Sequence, residues 1–179
     1  MKKKMFFLLA IVSIAFTVVF ISCQKNTDAT EVQNRTTLNV RLTDAPTNFD
    51  EVNVDILEVR VKFSDDSTSG GWVTLATFPG IYNLLNYTNG VDTLLATGAF
   101  PTQIVKEIRL VLGSNNTIVD GGIVYPLTIP SGSESGLKIK VNKKLQETLE
   151  TIIIDFDAAL SVKKEGPGNY KLRPVLKIK

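Results

Sequence analysis

The chain has 179 residues, of which 44% are hydrophobic, and its formal net charge is +2. This length suits one domain with a hydrophobic core, and the composition is that of a globular protein rather than a disordered one. The chain has no histidine and one cysteine, which excludes Ser-His-Asp and Cys-His catalysis, histidine-bound zinc or iron, and an internal disulfide. We therefore expect no cofactor, and any metal would be a hard cation bound by oxygen atoms.

The first residues have the order of a secretory leader. The opening MKKK is positive, and an uncharged apolar run of 17 residues follows, Met5–Ile21. This order predicts a signal peptide over residues 1–22. The length of the run does not by itself decide between a cleaved leader and an uncleaved membrane anchor. Removal of the leader leaves 17 basic residues against 18 acidic ones, so the mature chain has no electrostatic reason to bind nucleic acid.

Cys23 lies where the apolar run ends. The segment FISC, Phe20–Cys23, resembles the bacterial lipobox, in which the cysteine is acylated and becomes the new N-terminus; Phe20 stands where Leu is usual. This resemblance implies a fatty-acid anchor, such as palmitate, on Cys23, and the alternative is a buried cysteine at the end of a membrane helix. Each buried methylene contributes about 0.8 kcal/mol to membrane binding, so two or more acyl chains anchor a protein stably.

The residues after Cys23 are polar and show no apolar period: QKNTDATEVQNRTT. We interpret residues 23–37 as a flexible tether and residues 38–179 as a single folded domain. In Bacteroidota, a short charged stretch after the lipid-bearing cysteine can direct a lipoprotein to the cell surface, and Gln24, Lys25 and Asp28 resemble it weakly. We expect a lipid-anchored outer-membrane location, facing either the periplasm or the exterior.

From residue 38 onward apolar residues recur at every second position, the period of a β-strand with one wet face. Val52, Val54 and Ile56 point one way, and the phase then slips by one residue before Val59, Val61 and Phe63 continue the set. This slip predicts a β-bulge near Leu57–Glu58. Alternation continues in IVKEIRLVL, where Lys106 falls in phase with Ile104 and Ile108, and in LKIKV, TIIIDFD and YKLRPVLKI.

Glycine-rich turn signals, such as Asn89-Gly90 and Gly121-Gly122, separate these runs. The one helical candidate is VDTLLATG, which predicts a short helical turn near residues 91–96, ended by Gly98. About nine short strands with regular turns predict an all-β fold, an antiparallel β-sandwich of transthyretin-like or immunoglobulin-like type.

Trp72 is the only tryptophan and follows Gly70-Gly71. The favoured interpretation is a core tryptophan that opens a strand, because aromatic side chains dominate core burial. The alternative is an exposed indole that stacks on a sugar ring. Four lysines lie near one strand end: Lys138, Lys140, Lys143 and Lys144. The favoured interpretation is a solvated sheet face, and the alternative is a basic patch that binds lipid headgroups or an acidic glycan.

Asp155 and Asp157 lie two residues apart in a predicted strand, so both carboxylates should point to one face. Paired carboxylates can perform acid–base chemistry or bind Ca²⁺. The alternative is a wet strand face, or one aspartate that caps the turn at Ala158–Ser161. Asp65 and Asp66 form a second acidic candidate for Ca²⁺, in a predicted hairpin loop. Asp44, in TDAP, predicts an Asx-type turn ahead of Pro46.

Several segments occur in the order seen in a family of bacterial and archaeal lipoproteins: LTDAP, NLLNYTNGVDTLLATG, IRLVLGSNN, IPSGSESGLKI and DFDA. From about Leu38 to about Lys177 the chain resembles proteins that carry the domain of unknown function 4382. The resemblance implies an exported, often lipid-anchored protein with a transthyretin-like sandwich. It implies no activity and no site residue.

These observations predict a non-enzymatic, lipid-anchored envelope protein that binds a partner or has a structural role. The expected partners are the membrane, through the lipid, and either a carbohydrate or another envelope protein. One alternative is a hydrolase that uses carboxylates alone, with Asp155 and Asp157 as its candidates. Another is an assembly or adhesin subunit that pairs through an exposed strand edge.

Overall fold

The computed structural model describes residues 35–63, 71–130 and 136–179. These residues belong to one unit, which spans Asn34–Lys179, and strands make up most of it. The described residues form fourteen strands: β1 Arg35–Thr43, β2 Glu51–Phe63, β3 Trp72–Thr74, β4 Ala76–Thr77, β5 Gly80–Asn83, β6 Thr93–Pro101, β7 Ile104–Leu112, β8 Thr117–Asp120, β9 Ile123–Thr128, β10 Leu137–Lys144, β11 Leu149–Phe156, β12 Val162–Gly166, β13 Asn169–Leu172 and β14 Leu176–Ile178. The count exceeds the predicted nine because several strands are only two to four residues long.

Two sheets share these strands. The smaller has the order β14-β11-β1-β6-β4, and the larger has the order β10-β7-β2-β8-β9-β13-β12, with β3 and β5 also paired to β2. Both are mixed, because β1 runs parallel to β11 and β9 runs parallel to β13. The prediction of an all-β sandwich is confirmed, but its purely antiparallel pairing is wrong. Alternation of side chains does not report strand direction, because both kinds of pairing place successive residues on opposite faces.

The predicted inward positions form the core between the sheets. β1 contributes Leu38, Val40 and Leu42, and all three are fully buried. Residues from both sheets join them, including Val54, Ile56, Val61, Ile108, Leu110, Ile152, Ile154 and Phe156. The first strand begins at Arg35, so residues 35–37 of the predicted tether belong to the fold. Thr37 pairs with Leu149, and threonine suits a strand despite its polarity.

Two bulges set which side chains reach the outer surface of the larger sheet. The register between β2 and β7 shifts between Ile56 and Glu58, which confirms the predicted bulge. It shifts again where Lys62 and Phe63 lie opposite Glu107 and Val105. The second bulge was not predicted. The alternation places Lys106 on the inward face with Ile104 and Ile108, but the bulge buries Val105 instead.

The predicted helical turn at residues 91–96 is wrong. Strand β6 begins at Thr93, and Gly98 lies within it, opposite Leu38 of β1. Pairing with β1 prevails here over a weak local helical pattern. The helical turns lie elsewhere: a 3₁₀ turn at Leu84–Tyr87, and α1 at Ala158–Ser161. No helix within the three described ranges has the length and apolar character needed to cross a membrane.

Candidate functional site

Four neighbouring strands of the larger sheet bring several candidate binding residues to one outer surface. Residues opposite each other on β10, β7, β2 and β3 form rows across the sheet. One row consists of Lys140, Glu107, Lys62 and Trp72; the next consists of Lys138, Arg109, Arg60 and Thr74. Both rows point away from the core, because Ile139, Ile108 and Val61 between them are buried in it. We call this surface the cationic face, and its members are Glu58, Arg60, Lys62, Trp72, Lys106, Glu107, Arg109, Lys138 and Lys140.

Trp72 opens β3, but the expectation of a core tryptophan is wrong. Its neighbour Val73 packs against the core, whereas Trp72 is half-buried on the outer side of the sheet. The guanidinium of Arg109 lies over the indole, with Cζ 4.1 Å from the ring centroid. This is a cation–π contact, and it joins an aromatic surface to a fixed positive charge.

A cavity of about 360 Å³ opens beside this stack. It is lined by three lysines, one carboxylate, one amide and one aromatic ring: Lys62, Lys106, Lys140, Glu107, Asn142 and Phe63. The bulge in β7 allows Lys106 and Glu107, which are adjacent in the chain, to reach the same cavity. Alternation alone would place them on opposite faces.

Ion pairing neutralises little of the cationic face. Arg60 pairs with Glu58, with 2.6 Å between Nη2 and Oε2. Within the described ranges no carboxylate forms an ion pair with Lys62, Lys106 or Arg109, and Nε of Arg109 has no hydrogen-bond acceptor. The surface therefore presents six basic side chains against two carboxylates, and it can attract an anion.

The four lysines predicted as a cluster separate in the structure. Lys138 and Lys140 belong to the cationic face. Lys143 instead pairs with Glu150, with 2.9 Å between Nζ and Oε2. The interaction with Lys143 lowers the pKa of the Glu150 carboxyl.

Asp155 and Asp157 do not face open water or the described cavity. Each is only 7% exposed. Asp155 lies 3.4 Å from Nζ of Lys179, and Asp157 lies 3.2 Å from Nζ of Lys177. The Oδ1 atom of Asp157 also accepts a hydrogen bond from the backbone N–H of Leu160 at 3.0 Å. The capping role considered for Asp157 is therefore confirmed, at the start of α1.

Asp44 joins these two aspartates, which the sequence did not indicate. Its Oδ1 accepts the backbone N–H of Ala158 at 2.9 Å. The predicted Asx-type turn is not formed, since Pro46 has no N–H to donate to it. Burial raises the pKa of Asp44 to about 6, and the charges of Asp155 and Asp157 add to the effect, against the opposing backbone N–H groups of Ala158 and Ala45.

Two carboxylate oxygens in this cluster, Oδ2 of Asp44 and Oδ1 of Asp155, are buried without a hydrogen-bond partner among the described residues. The arrangement nevertheless does not suit a metal. In the described part of the chain no group of three or more acidic, cysteine or histidine side chains could hold a metal ion. The other candidates, Cys23, Asp65 and Asp66, lie outside the described residues.

In a comparison with protein families, residues 35–174 match the domain of unknown function DUF4382. The chain belongs to this family. The match covers nearly the whole folded unit, including the cationic face and the aspartate cluster. Searches of curated proteins and of solved structures found no match to the chain.

Proposed function

We propose that this DUF4382 protein is a lipid-anchored, non-enzymatic binding module of the bacterial outer membrane, with a carbohydrate or another envelope protein as its partner. The observation that carries the proposal is the cationic face, where Trp72 and Arg109 stack beside a cavity lined by three lysines. A rigid sheet that presents an aromatic ring and several unpaired charges is suited to binding a ligand.

The leader and Cys23 support the tethered part of the proposal. A positive segment, an apolar run and a lipobox-like FISC precede a polar stretch that ends where β1 begins at Arg35. Export would remove residues 1–22, acylation of Cys23 would hold the protein on the membrane, and the polar residues would separate the folded unit from the lipid surface.

The two alternatives find less support. A carboxylate-dependent hydrolase would need Asp155 and Asp157 to reach a substrate, but both are buried and lie beside lysines. Assembly through a strand edge is favoured by an uncharged edge. β10, at one end of the larger sheet, carries Lys138, Lys140, Lys143 and Lys144, and such charges oppose pairing with another strand.

Two measurements test the proposal. The first is fractionation and intact mass of the full-length chain and a Cys23→Ala variant, expressed in a bacterium with an outer membrane. The wild type should carry acyl mass on a chain that starts at Cys23 and should sediment with the outer membrane. The variant should lose the acyl mass and the processing. An unmodified wild type that retains its leader would refute the anchor.

The second measurement is binding of the mature chain, in nonionic detergent, to a glycan array and to detergent-solubilised envelope proteins. Trp72→Ala should weaken binding to whichever glycan or envelope protein the wild type binds, because it removes the indole and the ring on which the guanidinium of Arg109 stacks. Lys163→Gln is the control, since Lys163 is exposed on β12, at the opposite end of the larger sheet from β10. Absence of both glycan and protein partners would refute a binding role.

A further inference from the structure

We propose that the ligand of the cationic face is an acidic polysaccharide, held by its carboxylate or sulfate groups. This inference rests on the proposed binding function and specifies the ligand class for the same surface. It depends on the sign and arrangement of charge on the sheet, which the proposed function does not require.

The charges of the cationic face form a grid. Neighbouring strands in a sheet lie about 4.8 Å apart, and residues two apart along a strand lie about 6.6 Å apart. Lys138, Arg109 and Arg60 follow one another across three adjacent strands. Lys140 and Lys62 flank Glu107 in the next row. A row of closely spaced cations matches a polymer that bears an acidic group on each repeating unit, since several weak contacts then form along one chain.

Arg109 is suited to an oxyanion. Its guanidinium lies over the ring of Trp72, and the Nε–H has no acceptor among the described residues. Stacking fixes the plane of the guanidinium. Its Nε is buried, so a carboxylate or sulfate would accept the N–H groups of the two Nη atoms. The indole adds apolar surface next to this charge, which suits the C–H groups of a sugar ring.

The cavity provides a second subsite for an acidic group of the ligand. Its volume of about 360 Å³ lies within the usual range of about 300–1,000 Å³ for small-ligand pockets. Lys62, Lys106 and Lys140 line it, and Asn142 offers an amide. One carboxylate, Glu107, shares the cavity with the three lysines, so an excess of positive charge remains to attract the acidic groups of the polymer.

An acidic glycan fits this surface better than a membrane or a nucleic acid. Surfaces that dock on lipid bury apolar side chains among the headgroups. The large exposed apolar residues of the described chain, such as Phe78, Ile81 and Val124, do not belong to either row of the cationic face. Single-stranded nucleic acid binds through several aromatic rings that stack on successive bases, whereas this face has one indole.

The test uses the intact mature chain in nonionic detergent and two matched pairs of polymers. The pairs are polygalacturonate against its methyl ester, and dextran sulfate against dextran. We expect the acidic member of at least one pair to bind at least about tenfold more tightly than its neutral partner, and we expect affinity to fall as salt is raised from 50 to 500 mM because screening weakens each contact. Glycerophosphoglycerol, the soluble headgroup of phosphatidylglycerol, and a single-stranded DNA serve as competing probes.

The double variant Lys62→Gln/Lys140→Gln should lower affinity for the acidic polymer by about tenfold or more, given roughly 1.4 kcal/mol for each factor of ten. Arg109→Lys keeps the charge but removes the planar fork, and it should also weaken binding. Lys163→Gln removes one lysine from the opposite end of the sheet and should stay within about twofold of wild type. A circular dichroism melt confirms that each variant folds.

The outcomes separate this inference from the proposed function. Equal binding of acidic and neutral polymers, or tighter binding to the lipid headgroup or to DNA, would overturn the inference while leaving a binding role in place. Acid-dependent binding that the double variant leaves unchanged would overturn the assigned site. A protein that binds an envelope protein but no polysaccharide would also overturn the inference. Failure with every glycan and every envelope protein would remove the proposed function itself.

Discussion

Replacement of Asp44 by asparagine should stabilise the protein above pH 6 and flatten part of its pH–stability profile. Asp44 is 2% exposed, and its Oδ2 has no hydrogen-bond partner among the described residues. Asparagine is nearly the same size and can still accept the N–H of Ala158 through its oxygen. Its amide also provides a donor, where the carboxylate has nothing to donate.

The magnitude follows from the pKa. A folded-state pKa of about 6, against a reference of 3.8, means that ionised Asp44 costs about 3 kcal/mol, at about 1.4 kcal/mol per pKa unit. The folded state holds the proton more tightly than the unfolded state. The contribution of Asp44 to stability is therefore fully present below pH 3.8 and is lost as pH rises through 6. Between pH 5 and pH 8 the wild type should lose about 1.4 kcal/mol from this group alone.

The assay is urea unfolding of the intact chain in nonionic detergent at several values between pH 5 and pH 8. This window avoids three carboxylates whose pKa is lowered by a neighbouring donor, because stability from such groups is lost only as pH falls below about 4.5. The carboxylates with a lowered pKa are Asp120 (beside Tyr170), Glu150 (beside Lys143) and Glu165 (beside Lys171).

The quantity to compare is the free energy of unfolding of wild type minus that of Asp44→Asn, which should fall by about 1.4 kcal/mol from pH 5 to pH 8. Asp50→Asn removes the same formal charge from an exposed position and serves as the control. A difference that does not change with pH, or a variant less stable than wild type at pH 8, would refute the argument from burial.

Two further predictions concern stability. Gly113→Ala should destabilise the fold by about 1–3 kcal/mol, because its Cβ would lie 2.1 Å from Oδ2 of Asp55, a buried side chain; an unchanged Tm would contradict this. Asp157→Ala should cost about 1 kcal/mol, through loss of the cap on Leu160 and the contact with Lys177. Asp157→Asn should retain most of the cap, so equal losses in urea unfolding of the two variants would count against capping.

Local patterns identified the strands and their inward faces. Val52, Val54 and Ile56, and then Val59, Val61 and Phe63, are buried as the two-residue period and its slip predict. Capping by Asp157 could also be predicted, since it needs only the residues just after it in the chain. The segment at residues 91–96 was predicted wrongly because its pattern is short and a distant strand, β1, decides its conformation.

The amino-acid sequence alone determined the period of the strands, the absence of histidine chemistry, the family resemblance and the expectation of a lipid at Cys23. Each of these depends on residue type or on spacing along a short segment. Only the tertiary structure decided that Trp72 lies over Arg109, that Lys62 and Lys140 share a cavity, and that Asp44 meets Asp155 and Asp157. Some of these residues, such as Asp44 and Asp155, lie more than a hundred positions apart in the chain. Strand order and register bring them together.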